Sequence, residues 1–216
     1  MHRDCNPFTR SPRIIGASNP HCYTATMTEA TYLTNHFLIA MPALDDPNFA
    51  RSVTLICQHN DEGAMGITLS RKANLTMGDI LDQMKVQGGT DQVRAVEVLL
   101  GGPVQTERGF VLHSGGHSYE STFKVSDDIA ITTSRDILKD LSEGQGPDAI
   151  AVALGYAGWG KGQLEQEVRD NAWFAVPAEH MAGTIVFDTP VDLRWQEAAR
   201  LGGINLSKLS GLVGRA

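Results

Sequence analysis

From residue 35 onward, apolar residues fall in short runs closed by polar or glycine-bearing turns. Residues 36–41 (HFLIAM), 52–59 (SVTLICQH) and 64–70 (AMGITLS) have strand length. The four-residue polar link 60–63 (NDEG) joins the second and third as a hairpin. Runs at 95–101, 109–114 and 129–133 continue the β content. Residues 149–157 (AIAVALGYA) are apolar throughout, which predicts a strand in the middle of a sheet, and 172–177 (AWFAVP) ends at a proline. The string 101–104 (GGPV) reads as a turn between two strands.

Helices are announced by caps. Thr76 with Asp79, Thr133 with Asp136, and Thr189 with Asp192 each place a hydroxyl at a cap and a carboxylate near the third helical position, where free N–H groups need acceptors. The last adds Pro190 at the first helical position and Gly202 and Gly203 past the end. A fourth helix, over 163–171, carries Leu164, Val168 and Ala172 on one stripe. Strands outnumber helices and do not alternate with them regularly. This predicts an α+β class: one compact domain over 31–216, with a mixed sheet rather than a doubly wound one.

Composition narrows the function. The chain has 216 residues, 42% hydrophobic and 20% charged, with a formal net charge of −7. That describes a globular protein without a membrane span, since no apolar run approaches the roughly 18–20 residues a helix needs. The acidity argues against broad binding to a phosphate backbone, which needs clustered Lys and Arg. Three cysteines, Cys5, Cys22 and Cys57, form no C-x-x-C pair, so neither a disulfide framework nor a zinc site follows, and a reducing, cytoplasmic location is expected. Residues 1–30 read as a disordered tail: 1–26 hold three Arg, one Asp and three Pro without apolar periodicity, and Met27 is an alternative start.

One string invites a nucleotide reading. Gly155, Gly160 and Lys161 make G-x-x-x-x-G-K, one residue short of a phosphate-binding loop. Position 162 is Gly, so the magnesium-binding hydroxyl is missing. Glu165 and Glu167 in the following helix answer its dipole and would repel a phosphate. The residues 185–188 (IVFD) imitate a second nucleotide-binding strand, a pattern common by chance. The preferred reading is a tight strand-to-helix turn in which glycines adopt positive φ.

Four long strings carry a wider resemblance: 33–71 (LTNHFLIAMPALDDPNFARSVTLICQHNDEGAMGITLSR), 99–114 (LLGGPVQTERGFVLHS), 131–141 (ITTSRDILKDL) and 153–178 (ALGYAGWGKGQLEQEVRDNAWFAVPA). In this order they are similar to the bacterial YqgE/AlgH family, over roughly 31–204. The resemblance implies a barrel-like mixed sheet flanked by helices and a cytosolic location. It implies no established reaction; one branch carries a regulator label that concerns an effect on expression. The family's G-Y-A-G-W-G-x-G-Q-L-E string does not require lysine at position 161. This sequence departs from the family at 69–76, where Ser70 and Lys72 replace Asn and Pro of an Asn-Arg-Pro run.

The candidate binding surface is the glycine-rich segment Tyr156, Gly158, Trp159, Gly160 and Lys161, together with His36 and Arg71. The expected function is non-enzymatic: binding of a protein partner or small ligand, with a regulatory effect and without cofactor or metal. A hydrolase using Cys57 and His59 is the first alternative, since residues two apart in a strand share a face. It needs a thiol of lowered pKa, and a buried inert cysteine is far commoner. Direct DNA binding is the second alternative. His113 and His117 bracket a Ser-Gly-Gly string and read as a polar loop. Arg71 and Arg135 fit an anion or an ion pair, and Trp159, Trp173 and Trp195 fit core or interface anchors.

Overall fold

Ten strands form one curled, largely antiparallel sheet, and its two faces are covered by different helices. The computed structural model describes residues 32–179 and 181–206. The expected tail, with Cys5, Cys22 and Met27, lies outside the described residues. In chain order the elements are β1 (His36–Ala40), β2 (Val53–Asn60), β3 (Gly63–Thr68), β4 (Lys72–Thr76), α1 (Met77–Gln83), α2 (Asp91–Arg94), β5 (Glu97–Leu100) and β6 (Val104–Ser114). There follow β7 (Thr122–Lys124), β8 (Ile129–Thr132), α3 (Asp136–Glu143), β9 (Ile150–Gly160), α4 (Gln163–Arg169), β10 (Trp173–Pro177) and α5 (Arg194–Leu201). The main path runs β10-β1-β2-β3-β9-β6-β8-β7. β5 lies parallel to β9 and carries β4 on its other edge, so the sheet is mixed through this single parallel pairing. β9 joins the two halves: residues 157–160 pair with β3, and 152–154 pair with both β5 and β6.

Alternation along the strands sorts the core. Phe37, Ile39, Leu55, Ile67, Phe110, Leu112, Ala151 and Ala153 point to one face, where Ile185, Val186, Ala198 and Ala199 cover them. On the opposite face, α4 packs Leu164 against Leu38, Ile56, Ala157 and Trp159. Farther along that face, α1 and α3 pack Met77, Leu81, Ile137 and Leu141 against Val98, Val111 and Val152. Each fully buried Leu, Ile or Phe contributes about 1.5–3 kcal/mol, so both faces are needed to hold the sheet.

Two of the three caps differ from the sequence reading. Thr76 forms the expected reciprocal box with Asp79. Thr133 does not cap: α3 starts after Arg135, and the Asp136 carboxylate accepts from its own helix at Ile137 N and from Glu120 N. Burial alone would raise the pKa of Asp136, but these bonds and one from the Ser134 hydroxyl outweigh it and hold the carboxyl below its ordinary value. Thr189 does not cap either. Residues 184–188 wind into a π-helical turn rather than a strand, and the Thr189 hydroxyl donates back to Thr184 O at 2.8 Å. After a short 3₁₀ turn, α5 begins at Arg194, so Pro190 precedes the turn instead of opening the helix.

Candidate functional site

A cleft of about 570 Å³ opens on the sheet beside the β2–β3 hairpin. Gln58 of β2, Met65 of β3, Arg108 and Phe110 of β6, Phe123 of β7, and Tyr156 and Gly158 of β9 line it, with Thr133 at one side and Glu62 at the hairpin tip. Two bulges aim these residues. In β2 the register with β3 slips at Cys57, so Cys57 and Gln58 turn to the same side. Between Tyr156 and Leu154 of β9 the register with β6 breaks, the surplus residues lying on β6 between Val104 and Gly109, and Gly155 sits there at φ 70°, a conformation that disfavours any side chain. The break lets Ala153 and Tyr156 share a face, which strict alternation would not allow. Gly158 leaves the space: a Cβ there would lie 3.3 Å from the Tyr156 ring.

The floor is aromatic and the wall carries one cation. Phe110 and Tyr156 meet edge to face at 5.9 Å. The Arg108 guanidinium lies over Phe110 at 5.5 Å. It donates to Gln105 Oε1 at 3.3 Å and to the Thr133 hydroxyl at 3.4 Å. Among the described residues no carboxylate lies within ion-pairing distance of it.

The other side of β9 is closed. Trp159 is 6% exposed and Trp173 3%, and their rings meet at 6.1 Å. Both indole N–H groups donate to one oxygen, Glu167 Oε2, at 2.9 and 2.8 Å. Gln163 donates to the second oxygen of Glu167 and accepts from Gly160 N. His59 is buried beside them. Its Nδ1 accepts from Leu33 N at 2.9 Å, so the ring proton sits on Nε2, which faces Glu165 Oε1 at 3.2 Å. Glu165 and Glu167 therefore serve specific side chains rather than the helix dipole alone.

This settles what the glycine-rich string does. Residues 156–160 continue β9, with 157–160 paired to β3 and Tyr156 to Val104 of β6, so their N–H groups point alternately and cannot converge on a phosphate. The strand-to-helix turn comes later, at Lys161 and Gly162, with Gly162 at φ 74°. Of the sequence-predicted surface, Tyr156 and Gly158 line the cleft and Trp159 contributes to its edge while its ring faces α4. Gly160 and Lys161 lie at the exposed turn. His36 opens β1 and bonds Thr34 O through Nδ1 at 3.1 Å. Arg71 sits beyond the opposite end of β3, its Nη2 on Ala50 O at 3.1 Å, its Nε buried without a partner. At about 3.3 Å per residue, the eight residues from Gly63 to Arg71 put it roughly 20 Å or more from Lys161. The seven residues do not converge on one site.

The Cys57–His59 pair is corrected by the same geometry. The bulge sends Cys57 into the core beside Leu55, and His59 toward α4, so they do not share a face. The thiol is 2% exposed and donates to Leu55 O, and burial pushes its pKa up to about 12, opposite to what a nucleophile needs. The His59 lone pair that a general base would use is taken by Leu33 N–H. His113 is likewise not in a polar loop but buried in β6. Its Nδ1 faces Ser114 O at 2.9 Å, and its Nε2 meets the Thr132 hydroxyl at 2.9 Å, which in turn meets Thr122 at 2.6 Å. Burial lowers the pKa of this imidazole.

Arg108, Phe110 and Glu167 escaped the sequence reading. The signal for Glu167 was present in two tryptophans whose buried N–H groups need an acceptor. Arg108 stands in a polar stretch, 105–108, just before an apolar run, and nothing local marks it. No helix among the described residues is long and apolar enough to cross a membrane, which says nothing of strands.

Comparison with known proteins places this geometry. The family profile described as AlgH-like matches residues 37–207. A UPF0301 protein of Nitrosococcus oceani is 53% identical over 190 residues, covering 88% of this chain and 100% of the relative. A UPF0301 protein of Thioalkalivibrio sulfidiphilus is 50% identical with the same coverage. The solution structure of the AlgH protein from Pseudomonas aeruginosa superposes with a TM-score of 0.69 at 44% identity, covering 88% of this chain and 98% of that one. A crystal structure of protein DIP2367 from Corynebacterium diphtheriae shares the fold at 20% identity and a TM-score of 0.59, covering 82% of this chain and 91% of that one.

Proposed function

The chain belongs to the AlgH-like family, and from that premise we propose that it works by binding rather than catalysis, as a cytoplasmic protein with a regulatory effect whose working surface is the cleft beside the β2–β3 hairpin. The supporting observation is the cleft itself: about 570 Å³, with the half-buried ring of Tyr156 resting on the buried Phe110, and opened by the missing side chain of Gly158. Ligand sites of this kind hold an apolar floor with few polar groups, and they recur at the mouths of barrels. The groups that suggested a hydrolase are committed to the interior.

The test uses the neutral fluorophore N-phenyl-1-naphthylamine and backbone amide NMR. The expected result is saturable binding with shifts at Met65, Phe110 and Tyr156, lost in Gly158→Val, whose side chain fills the cleft. In cells, the same variant, still folded, should reproduce the expression changes caused by deleting the gene. Shifts confined to other surfaces, or a Gly158→Val protein that binds and complements normally, would remove the cleft from the function.

A further inference from the structure

We infer that the cleft selects a small ligand with a planar apolar body and a single anionic group, the anion being held by Arg108. This rests on the binding reading above and names its chemistry. The chain carries more acid than base, 25 Asp and Glu against 18 Lys and Arg, and two other described arginines use it: Arg94 grips Asp82 and Arg200 grips Glu197. Arg108 does not. Its contacts are two long bonds to neutral oxygens and the face of Phe110. A guanidinium carries five donors in a planar fork suited to a carboxylate, phosphate or sulfonate, and bonds to an ionised acceptor are roughly twice as strong as those to neutral ones. An incoming anion would therefore displace Gln105 and Thr133 rather than add to them.

Stacking on Phe110 fixes where the fork points. It holds the cation above the buried Phe110 and beside the half-buried Tyr156, so one ligand can lie on Tyr156 while its charge reaches Arg108. Glu62 lines the same cleft from the hairpin tip. A second negative charge on the ligand would face that carboxylate, which disfavours polyanions such as nucleoside triphosphates and leaves a monoanion as the occupant.

Two probes that differ only in charge test this. 1-Anilinonaphthalene-8-sulfonate is N-phenyl-1-naphthylamine with one sulfonate added. Their dissociation constants are measured by fluorescence titration on the full chain and on Arg108→Gln, with amide shifts locating each probe. The expected result is that Arg108→Gln weakens the sulfonate about tenfold, the difference of one charge-assisted contact, and leaves the neutral probe unchanged. If the neutral probe binds the cleft and Arg108→Gln changes neither constant, the anion assignment is overturned and the binding reading stands. Equal losses for both probes would make Arg108 a packing residue on Phe110 and overturn it as well. If neither probe enters the cleft, the binding reading itself fails.

Discussion

The two faces of β9 treat aromatic residues in opposite ways. On the α4 side, Trp159 and its partner Trp173 have their N–H groups on one carboxylate, and their rings are covered by Phe49 and Leu164. On the other side, three residues earlier, the half-buried Tyr156 lies at an open cleft, resting on Phe110 of β6, beside an arginine with no acid partner. Aromatic content alone therefore does not mark a binding surface. What distinguishes the two is whether polar atoms are satisfied from within the chain. The closed side spends its carboxylates on its own donors, and the open side leaves a cation available.

The contrast predicts that the closed side carries stability and the open side does not. Trp159→Ala should give the largest effect, a loss of about 3–5 kcal/mol in urea unfolding, as expected for deleting a buried aromatic. Glu167→Ala should cost about 2–3 kcal/mol by leaving two buried indole donors unpaired, and Glu167→Gln clearly less, since an amide oxygen still accepts. A Glu167→Ala protein as stable as the parent would show that the indoles find water and that the side is not closed.

A smaller effect comes with pH. Burial depresses the folded-state pKa of His113 below the unfolded value of about 6.5, so the folded state binds fewer protons. The stability His113 contributes is thus fully present above about pH 6.5 and is lost as pH falls through the lower folded-state value. His113→Asn should flatten stability between pH 5 and 7; an unchanged slope would assign the titration to another group. Asp79, Asp127, Asp136 and Glu197, all held below their ordinary values, lose their contributions only at more acidic pH. Gly158→Val should shift stability by no more than about 1 kcal/mol, because its φ suits a side chain and only the Tyr156 ring must yield. Cys57 gives the sharpest yes-or-no measurement. Iodoacetamide should leave it unmodified in the folded protein and alkylate it in denaturant, as read by peptide mass spectrometry.

Much of the fold was legible. The apolar runs became strands β1, β2, β3, β5, β6, β8, β9 and β10, and the 60–63 link became the β2–β3 turn. Of the stripe Leu164, Val168 and Ala172, the first two became the packed side of α4, and Ala172, past its end, packs on the same cluster. β4 and β7 were missed because Lys72–Thr76 and Thr122–Lys124 are short and hold no fully buried residue, with no apolar alternation to read. The caps at Thr133 and Thr189 failed for a different reason. Each hydroxyl found a competing tertiary or π-turn partner, which local spacing cannot reveal.

What the chain determined by itself was strand and helix content, the hairpin, the first cap and the family strings, because these depend on periodicity and on contacts within a few residues. Which side of the sheet each residue faces was decided only by the tertiary structure. A single extra residue at Cys57 and the register break at Gly155, opposite surplus residues of β6, reverse the alternation, and such irregularities are set by register against partner strands far away in sequence. That reversal separates Cys57 from His59, turns Tyr156 toward Arg108, and makes the cleft.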